Sequence, residues 1–378
     1  VEMYKEGLKS HKNATVYAVI VTYNRLAMLR ECLAAVLNQT YRDFKVIVVD
    51  NAGTDGTGEY VQSLGDARIQ YINTGKNLGG AGGFHRGIKE AYIGGAKWVW
   101  VMDDDVIPRP DALQALMDAL KIVKPHKTSF LASCVYGPNG EAMNTPGVDL
   151  RSKNGYPFWY EYLDSGLVKL NAATFVSILI NAAAIDKCGL PCSNFFIWGD
   201  DTEYTKRIYR NFGLAYLVGA SKVVHARANA SNLSIFTETN PGRIAAYAYM
   251  IRNTLIYTRE YAGEEAFRQK LALYEGDCAK LRDSDDIYKE QKIAAIRAGI
   301  KNYYRYDFEL FRNRFDPFSE DKAARAEAEW EQREERRVPA ESLPWLPRKV
   351  RNAYRYWRRN GFKATVRRFF CGRQAGGQ

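Results

Sequence analysis

With 378 residues, 46% hydrophobic and 26% charged, the chain can bury a sizeable core in one or two domains, which excludes a disordered protein. The net charge of +11 is concentrated, because the stretch from Leu343 to the C-terminus holds ten Lys and Arg and no Asp or Glu. The rest of the chain is near neutral, so a basic nucleic-acid-binding body is disfavoured and an anionic partner surface belongs to one appendage.

Residues 1–13 are polar and predict a loose start. Val16–Val21 is a short continuous apolar run rich in β-branched residues, suited to a strand buried on both faces. Leu26, Leu29, Leu33, Val36 and Leu37 recur at three- and four-residue spacing and predict an amphipathic helix over 25–38. Phe44–Val49 is a second buried strand ending at Asp50, Gly53–Gly58 a turn and Gly58–Leu64 a short helix. Arg68–Ile72 reads as a third strand, followed by a glycine-rich segment and a helix to about Gly94. Trp98–Met102 is a fourth strand running into Asp103-Asp104-Asp105, and a helix follows over 111–124. Alternating strands and helices at this spacing predict an α/β fold with a mostly parallel sheet and helices on both faces. From 130 to 235 the pattern loosens into shorter strands and aromatic patches. Beyond Pro241 it turns helical, over 243–261, 264–281, 289–311 and 320–337, before Pro339, Pro344 and Pro347 break the chain. The expected organisation is a flexible 1–13, a main domain over 14–240, a helical region over 241–338 and a basic tail over 339–378.

Cys32, Cys134, Cys188, Cys192, Cys278 and Cys371 form no zinc-ligand pattern and are expected to be reduced thiols. No leader pattern opens the chain, and the apolar stretch Ala172–Ile185 is interrupted by Asn181 and too short to span a bilayer. The expected location is cytoplasmic, peripheral on the inner face of the membrane.

Ligands of such sheets bind beyond the carboxyl ends of the strands, where Asp50, the glycine segment and the Asp cluster all fall. Adjacent carboxylates repel one another unless a cation or donor network neutralises them. Hard oxygen ligands suit Mg²⁺ or Mn²⁺, with substrate phosphates completing the shell. In an extended segment Asp103 and Asp105 point one way and Asp104 the other. The alternative is a solvated acidic turn. Asp50 suits a contact to a nucleobase or ribose, or equally a strand-end cap. The segment Asn77–Gly87 holds five glycines in eleven positions, including Gly79 and Gly80, so its backbone can approach an anion closely or simply turn. It lacks the Gly-Lys-Ser/Thr of a P-loop and the context of a dinucleotide fingerprint. A second acidic group, Gly199-Asp200-Asp201-Thr-Glu203, follows Trp198. There a raised carboxylate pKa could serve a general base and the indole could stack on a sugar ring; the alternative is a capped helix start. His225, alone of its kind nearby, fits a structural role as well as a ligand.

These pieces in this order, over residues 14–235, resemble the family-2 glycosyltransferases of the GT-A fold. The resemblance implies that Thr22, Tyr23 and Arg25 lie in the nucleotide-contacting loop, that Asp50 contacts uracil or its equivalent, and that Asp103–Asp105 form the DxD element. Asn77, Gly79, Gly80 and Asp104 are assigned to the nucleotide-sugar site. Asp201 corresponds to the catalytic base, with Asp200 and Trp198 on the acceptor side. Within the family the chain looks most like bacterial galactofuranosyltransferases, which implies Asp103, Asp105 and His225 as ligands of Mn²⁺ or Mg²⁺. Rhamnosyltransferases using dTDP-rhamnose share the scaffold. The resemblance therefore implies an inverting, metal-dependent transferase with a UDP-sugar donor favoured and a saccharide or lipid-linked glycan acceptor. Little precedes residue 14, so the β-rich domain of long galactofuranan polymerases is not expected, and addition of one or a few sugars is.

In the tail, Val350, Tyr354 and Trp357, then Phe362, Val366 and Phe369, recur at helical spacing among Lys and Arg. Such a helix suits an anionic membrane surface, or else docking on a protein. No nucleic-acid partner is expected, and an oligomer is compatible with the sequence. An oxidoreductase built on the glycine segment would leave the Asp triplet without a role.

Overall fold

The computed structural model describes residues 15–153, 155–227 and 233–308. The chain opens with β1 (Val16–Thr22), α1 (Leu26–Leu37), β2 (Phe44–Asp50), α2 (Thr57–Ser63), β3 (Ile69–Asn73), α3 (Gly79–Ile93), β4 (Trp98–Asp103), β5 (Val106–Pro108) and α4 (Ala112–Ile122). Next come β6 (Thr128–Tyr136), the two-residue strands β7 (Ala142–Met143), β8 (Gly147–Val148), β9 (Ser152–Lys153) and β10 (Tyr156–Pro157), and β11 (Leu167–Ala172). β12 (Ile178–Asn181), α5 (Ala182–Cys188), α6 (Asp200–Asn211) and β13 (Leu214–His225) lead to two long helices, α7 (Pro241–Arg282) and α8 (Lys289–Tyr304).

The main sheet has the order β3-β2-β1-β4-β12-β6-β13-β11-β8. Its first half is parallel, β1 pairing with both β2 and β4. β12 then runs antiparallel between β4 and β6, and β13 is parallel to β6. Side-chain alternation explains the two cores. Val16, Ala18 and Ile20 of β1 face one side with Leu29 and Leu33 of α1 and Leu113 and Leu116 of α4. Tyr17, Val19 and Val21 face the other with Phe84 and Ile88 of α3, Ile185 of α5 and Tyr204 of α6. Each such fully buried aliphatic side chain contributes about 1.5–3 kcal/mol.

The α/β half matches the sequence expectation closely. Residues 130–235 differ: β6 and the twelve-residue β13 are long strands, the latter accommodating a register shift between Val218 and Lys222. Polar residues inside these strands mask their periodicity, with Ser133 and Ser221 hydrogen-bonded to each other in the interior. The apolar stretch 172–185 is split among β11, β12 and the short α5. The helices expected at 243–261 and 264–281 are the two arms of α7, separated by Gly263 at φ 90°. Asn240 caps α7 by accepting from the backbone N–H groups of Gly242 and Arg243. A third core joins α7 and α8 through Ile244, Ile251, Leu255 and Ile296, and takes in Ala81 and Phe195 from the sheet domain. The helix expected over 320–337 and the basic tail lie outside the described residues. Among those described, the cysteines are free and no helix is long and apolar enough to cross a membrane.

Candidate active site

Strand register gathers the polar residues at one edge. In the parallel ladder Asn73 stands beside Asp50, Asp50 beside Thr22, and Val21 beside Asp103. The carboxyl ends of β3, β2, β1 and β4 thus present one polar row. Asp50 is buried, its Oδ1 accepting from the Gly53 N–H at 2.7 Å and its Oδ2 from the Tyr71 hydroxyl at 2.7 Å. Part of its role is therefore the strand-end cap. Tyr23 is 43% exposed beside this row.

β4 ends at Asp103 and the chain turns at residues 104–105 instead of continuing extended. β5 then pairs antiparallel with the end of β13, Val106 opposite His225, and the Ala226 N–H donates to the Asp105 carbonyl at 2.8 Å. The turn still separates the triplet as alternation would. Asp104 faces β1, accepting from Thr22 Oγ1 at 2.7 Å and pairing with Arg25 Nη1 at 2.8 Å. Asp103, Asp105 and His225 each offer one ligand atom, all within 4.8 Å of one another. Arg25 also reaches Asp105 Oδ2 through Nη2 at 2.8 Å.

Asp105 Oδ1 is buried without a hydrogen bond, 3.2 Å from His225 Nε2. On the far side of the ring, Nδ1 lies 2.9 Å from Asn144 Oδ1. An amide oxygen only accepts, so Nδ1 carries a proton, and in the neutral ring Nε2 turns its lone pair toward the carboxylates. Two lone pairs aimed at one point need a cation between them or a proton on Nε2. The donor set of two carboxylates and one imidazole fits a divalent ion.

Electrostatics tie the two acidic groups together. Burial, then the carboxylates of Asp105, Asp104, Asp200 and Asp201, push the Asp103 carboxyl well above the ordinary range. Burial raises Asp104 to about 6 against the pull of Arg25 and Thr22. Burial would also raise Asp105, but His225, when its ring is charged with a proton on Nε2, and Arg25 outweigh it and hold the group at about 2 in the metal-free protein. Asp200 is pushed up to about 8, chiefly by burial and then by Asp201, and burial raises Asp201 as well.

Asp200 and Asp201 open α6, whose N-terminal dipole favours a carboxylate. The cap is Gly199 at φ 91°, with no side-chain cap, so neither acid is the capping residue. Glu203, wholly buried, pairs with Arg207 at 2.9 Å and accepts from the Tyr261 hydroxyl, which gives it a structural place. Trp198 sits at φ 60°, packed edge-on to Tyr247 with ring centroids 5.1 Å apart.

The glycine segment differs from expectation because α3 already begins at Gly79. A Cβ on Gly83 would lie 2.4 Å from Val21, and one on Gly87 2.3 Å from Val19, so these glycines bring the helix onto the sheet. Gly79, at φ 71°, would meet the Phe196 carbonyl oxygen at 2.1 Å, and the Ala81 N–H donates to that oxygen at 3.1 Å. Gly80 faces open space in the first turn, and Asn77 Oδ1 accepts from the Gly79 N–H. Gly80 keeps the open approach expected of an anion contact, while Gly79 is committed to the neighbouring loop. Sequence reading overlooked Asn144 and Asn51. Asn51 donates to the Gly79 carbonyl at 3.0 Å and leaves its own Oδ1 buried and unpartnered. Its position directly after Asp50 was the available signal; Asn144 offered none.

Residues 17–147 match the model of glycosyl transferase family 2. The chain is similar to the galactofuranosyltransferase GlfT1 of Mycolicibacterium smegmatis, 30% identical over 201 residues, covering 52% of this chain and 66% of that protein. This falls just short of two thirds of the relative's length. It is also similar to the N-acetylglucosaminyl-diphospho-decaprenol L-rhamnosyltransferase of Mycobacterium tuberculosis, at 25% identity over 56% of this chain and 76% of that one. Among solved structures, the mannosyltransferase PcManGT of Pyrobaculum calidifontis overlaps 80% of this chain and 93% of its own, with 15% identity and a TM-score of 0.47. The protein carries a glycosyl transferase family 2 domain.

Proposed function

We propose that the protein transfers galactofuranose from UDP-galactofuranose to a hydroxyl of a saccharide or lipid-linked glycan, inverting the anomeric configuration. The observation that carries this reading is the convergence of ligand atoms from Asp103, Asp105 and His225, with Asp200 and Asp201 near enough to raise the Asp103 carboxyl. The 30% identity to a galactofuranosyltransferase supports the choice of sugar.

A divalent cation, Mn²⁺ by preference for the imidazole and otherwise Mg²⁺, would be held by Asp103, Asp105 and His225 and would offset the charge of the departing diphosphate. Asp50, Thr22, Tyr23 and Asn77 would border the nucleotide, and Arg25 and Asp104 would face its phosphates. Asp201 accepts the proton of the acceptor hydroxyl. The acceptor oxygen bonds to the anomeric carbon as the bond to the phosphate oxygen breaks, and UDP leaves with the electron pair. Asp200, whose carboxyl is pushed up by burial and by Asp201, contacts the acceptor hydroxyl, and Trp198 offers the acceptor an aromatic face. The basic segment 339–378 would hold the enzyme at an anionic cytoplasmic membrane surface near a lipid-linked acceptor. Addition of one or a few sugars is the mode proposed.

A panel of UDP-galactofuranose, UDP-galactopyranose, UDP-N-acetylglucosamine and dTDP-rhamnose, assayed for nucleotide release with and without Mn²⁺, tests the proposal. Release from UDP-galactofuranose is expected, with product stereochemistry read by NMR. The 25% relative favours dTDP-rhamnose as the second reading, and turnover of that donor alone would replace the first. Turnover of none would reject both.

A further inference from the structure

The five residues before the Asp200–Asp201 pair follow an unusual path. Phe196 has φ 64°, Trp198 φ 60° and Gly199 φ 91°, three left-handed positions within four residues. Non-glycine residues held there cost about 1–3 kcal/mol each, so the surroundings must enforce the conformation. The carbonyl groups show how. Those of Phe195, Ile197 and Trp198 all accept from Asn253 Nδ2, at 3.0, 3.2 and 2.7 Å. Arg252 Nη2 donates to the carbonyls of Asn194 and Phe195 at 2.9 and 3.0 Å, and its Nε donates to Asn253 Oδ1 at 2.9 Å, fixing the amide's orientation. The Phe196 carbonyl is taken by Ala81 from the glycine segment. The Gly199 carbonyl accepts from the Glu203 N–H, the first bond of α6. Asn253 is fully buried, and a Cβ on Gly199 would lie 3.3 Å from its Cβ. Two amide protons shared among three carbonyls leave that group no other task.

We infer that Asn253, oriented by Arg252, is a positioning residue for sugar transfer: it fixes the backbone of residues 195–199 and thereby the direction in which Asp200 and Asp201 face the acceptor. This rests on the assignment of Asp201 as the base proposed above. The helical region is then part of the active-site architecture.

The test uses the full chain with UDP-galactofuranose and acceptor, comparing wild type, Asn253→Asp, Arg252→Met and Ile296→Ala. Asn253→Asp sets an acceptor oxygen against three carbonyl oxygens without changing shape. Arg252→Met removes the orienting bond and leaves the amide, which keeps a readout should the first variant fold poorly. Ile296→Ala, in the same helical core but with no polar group to hold the loop carbonyls, controls for stability alone. Expected is a fall in kcat of about 100-fold for Asn253→Asp and a rise in acceptor KM, with UDP affinity by calorimetry within threefold of wild type. Ile296→Ala should lower Tm and leave kcat unchanged. Wild-type kcat and acceptor KM in both clamp variants, or an equal kcat loss in Ile296→Ala at matched Tm, overturns the positioning role alone. A wild-type chain that transfers no sugar overturns the proposed function, and the positioning role with it.

Discussion

His225 Nε2 stands 3.2 Å from Oδ1 of Asp105, bridging the end of β13 and the turn after β4, with no aligned hydrogen bond between them. The antiparallel pairing of Val106 with His225 sets this distance, so a candidate ligand about 120 residues later along the chain is fixed by sheet geometry. Asn144, bonded to the other ring nitrogen, then decides which nitrogen presents its lone pair. Asn144→Ala should weaken Mn²⁺ binding by about 10–100-fold, as loss of an outer hydrogen bond to a ligand histidine does. Asn144→Asp, which keeps the acceptor and tolerates the φ of 46° at this position, should retain binding. Titration of free Mn²⁺ by electron paramagnetic resonance reads this without turnover, and equal affinities in the two variants would refute it.

Asp201→Asn should bind UDP as the wild type does and lose transfer by about 10²–10⁴-fold, since the amide cannot take the acceptor proton. Calorimetry of UDP binding beside acceptor-dependent UDP release checks it. Turnover within tenfold of wild type would move the base elsewhere.

The raised carboxyl of Asp200 gives a pH signature in the metal-free protein. Its folded pKa of about 8 lies above the unfolded value of about 3.9, so folding favours the protonated form. That stabilisation is full below about pH 4 and is lost as pH rises through about 8. Asp200→Asn, uncharged throughout, should flatten this dependence and raise the metal-free Tm at pH 8 by about 2–4 °C for each kcal/mol recovered. Parallel Tm-against-pH curves for the two proteins would show that Asp200 is not held neutral.

Gly79→Ala should destabilise the fold by about 2–4 kcal/mol, combining a positive φ with overlap on the Phe196 carbonyl. Gly80→Ala, with open space around its Cβ, should cost no more than a small fraction of that. Chemical denaturation of the pair measures the contrast, and similar midpoints would contradict the close approach.

Glu203→Ala should lower stability by about 3–5 kcal/mol, because it leaves the guanidinium of Arg207 buried without its carboxylate. A denaturant midpoint near that of the wild type would mean that the carbonyls of Cys188 and Leu190, which Arg207 also holds, suffice.

The α/β half was legible because β1 and β4 are uninterrupted apolar runs that end in a polar residue, as Val-Ile-Val-Val of β2 ends in Asp50. The same rule located Asp103–Asp105. β6 and β13 escaped because their buried serines satisfy one another across strands, a pairing no local window displays. Asn253 looked like any polar residue on a helix, since its three carbonyl partners lie more than 50 positions away. Asn144 likewise acquires meaning only through a residue 81 positions distant. The glycines were read as a ligand cradle because their abundance is visible in sequence, whereas the β1 and β2 side chains they make room for are not.

The contact between Gly79 and Phe196 has a bearing on engineering this scaffold. The start of α3 and the loop before α6 are not interchangeable modules, since the Phe196 carbonyl occupies the space that any larger residue at 79 would need. A chimaera that imports another transferase's 193–205 segment to redirect acceptor choice must import a compatible residue 79 with it. Substitutions at these two distant stretches should therefore succeed together and fail apart.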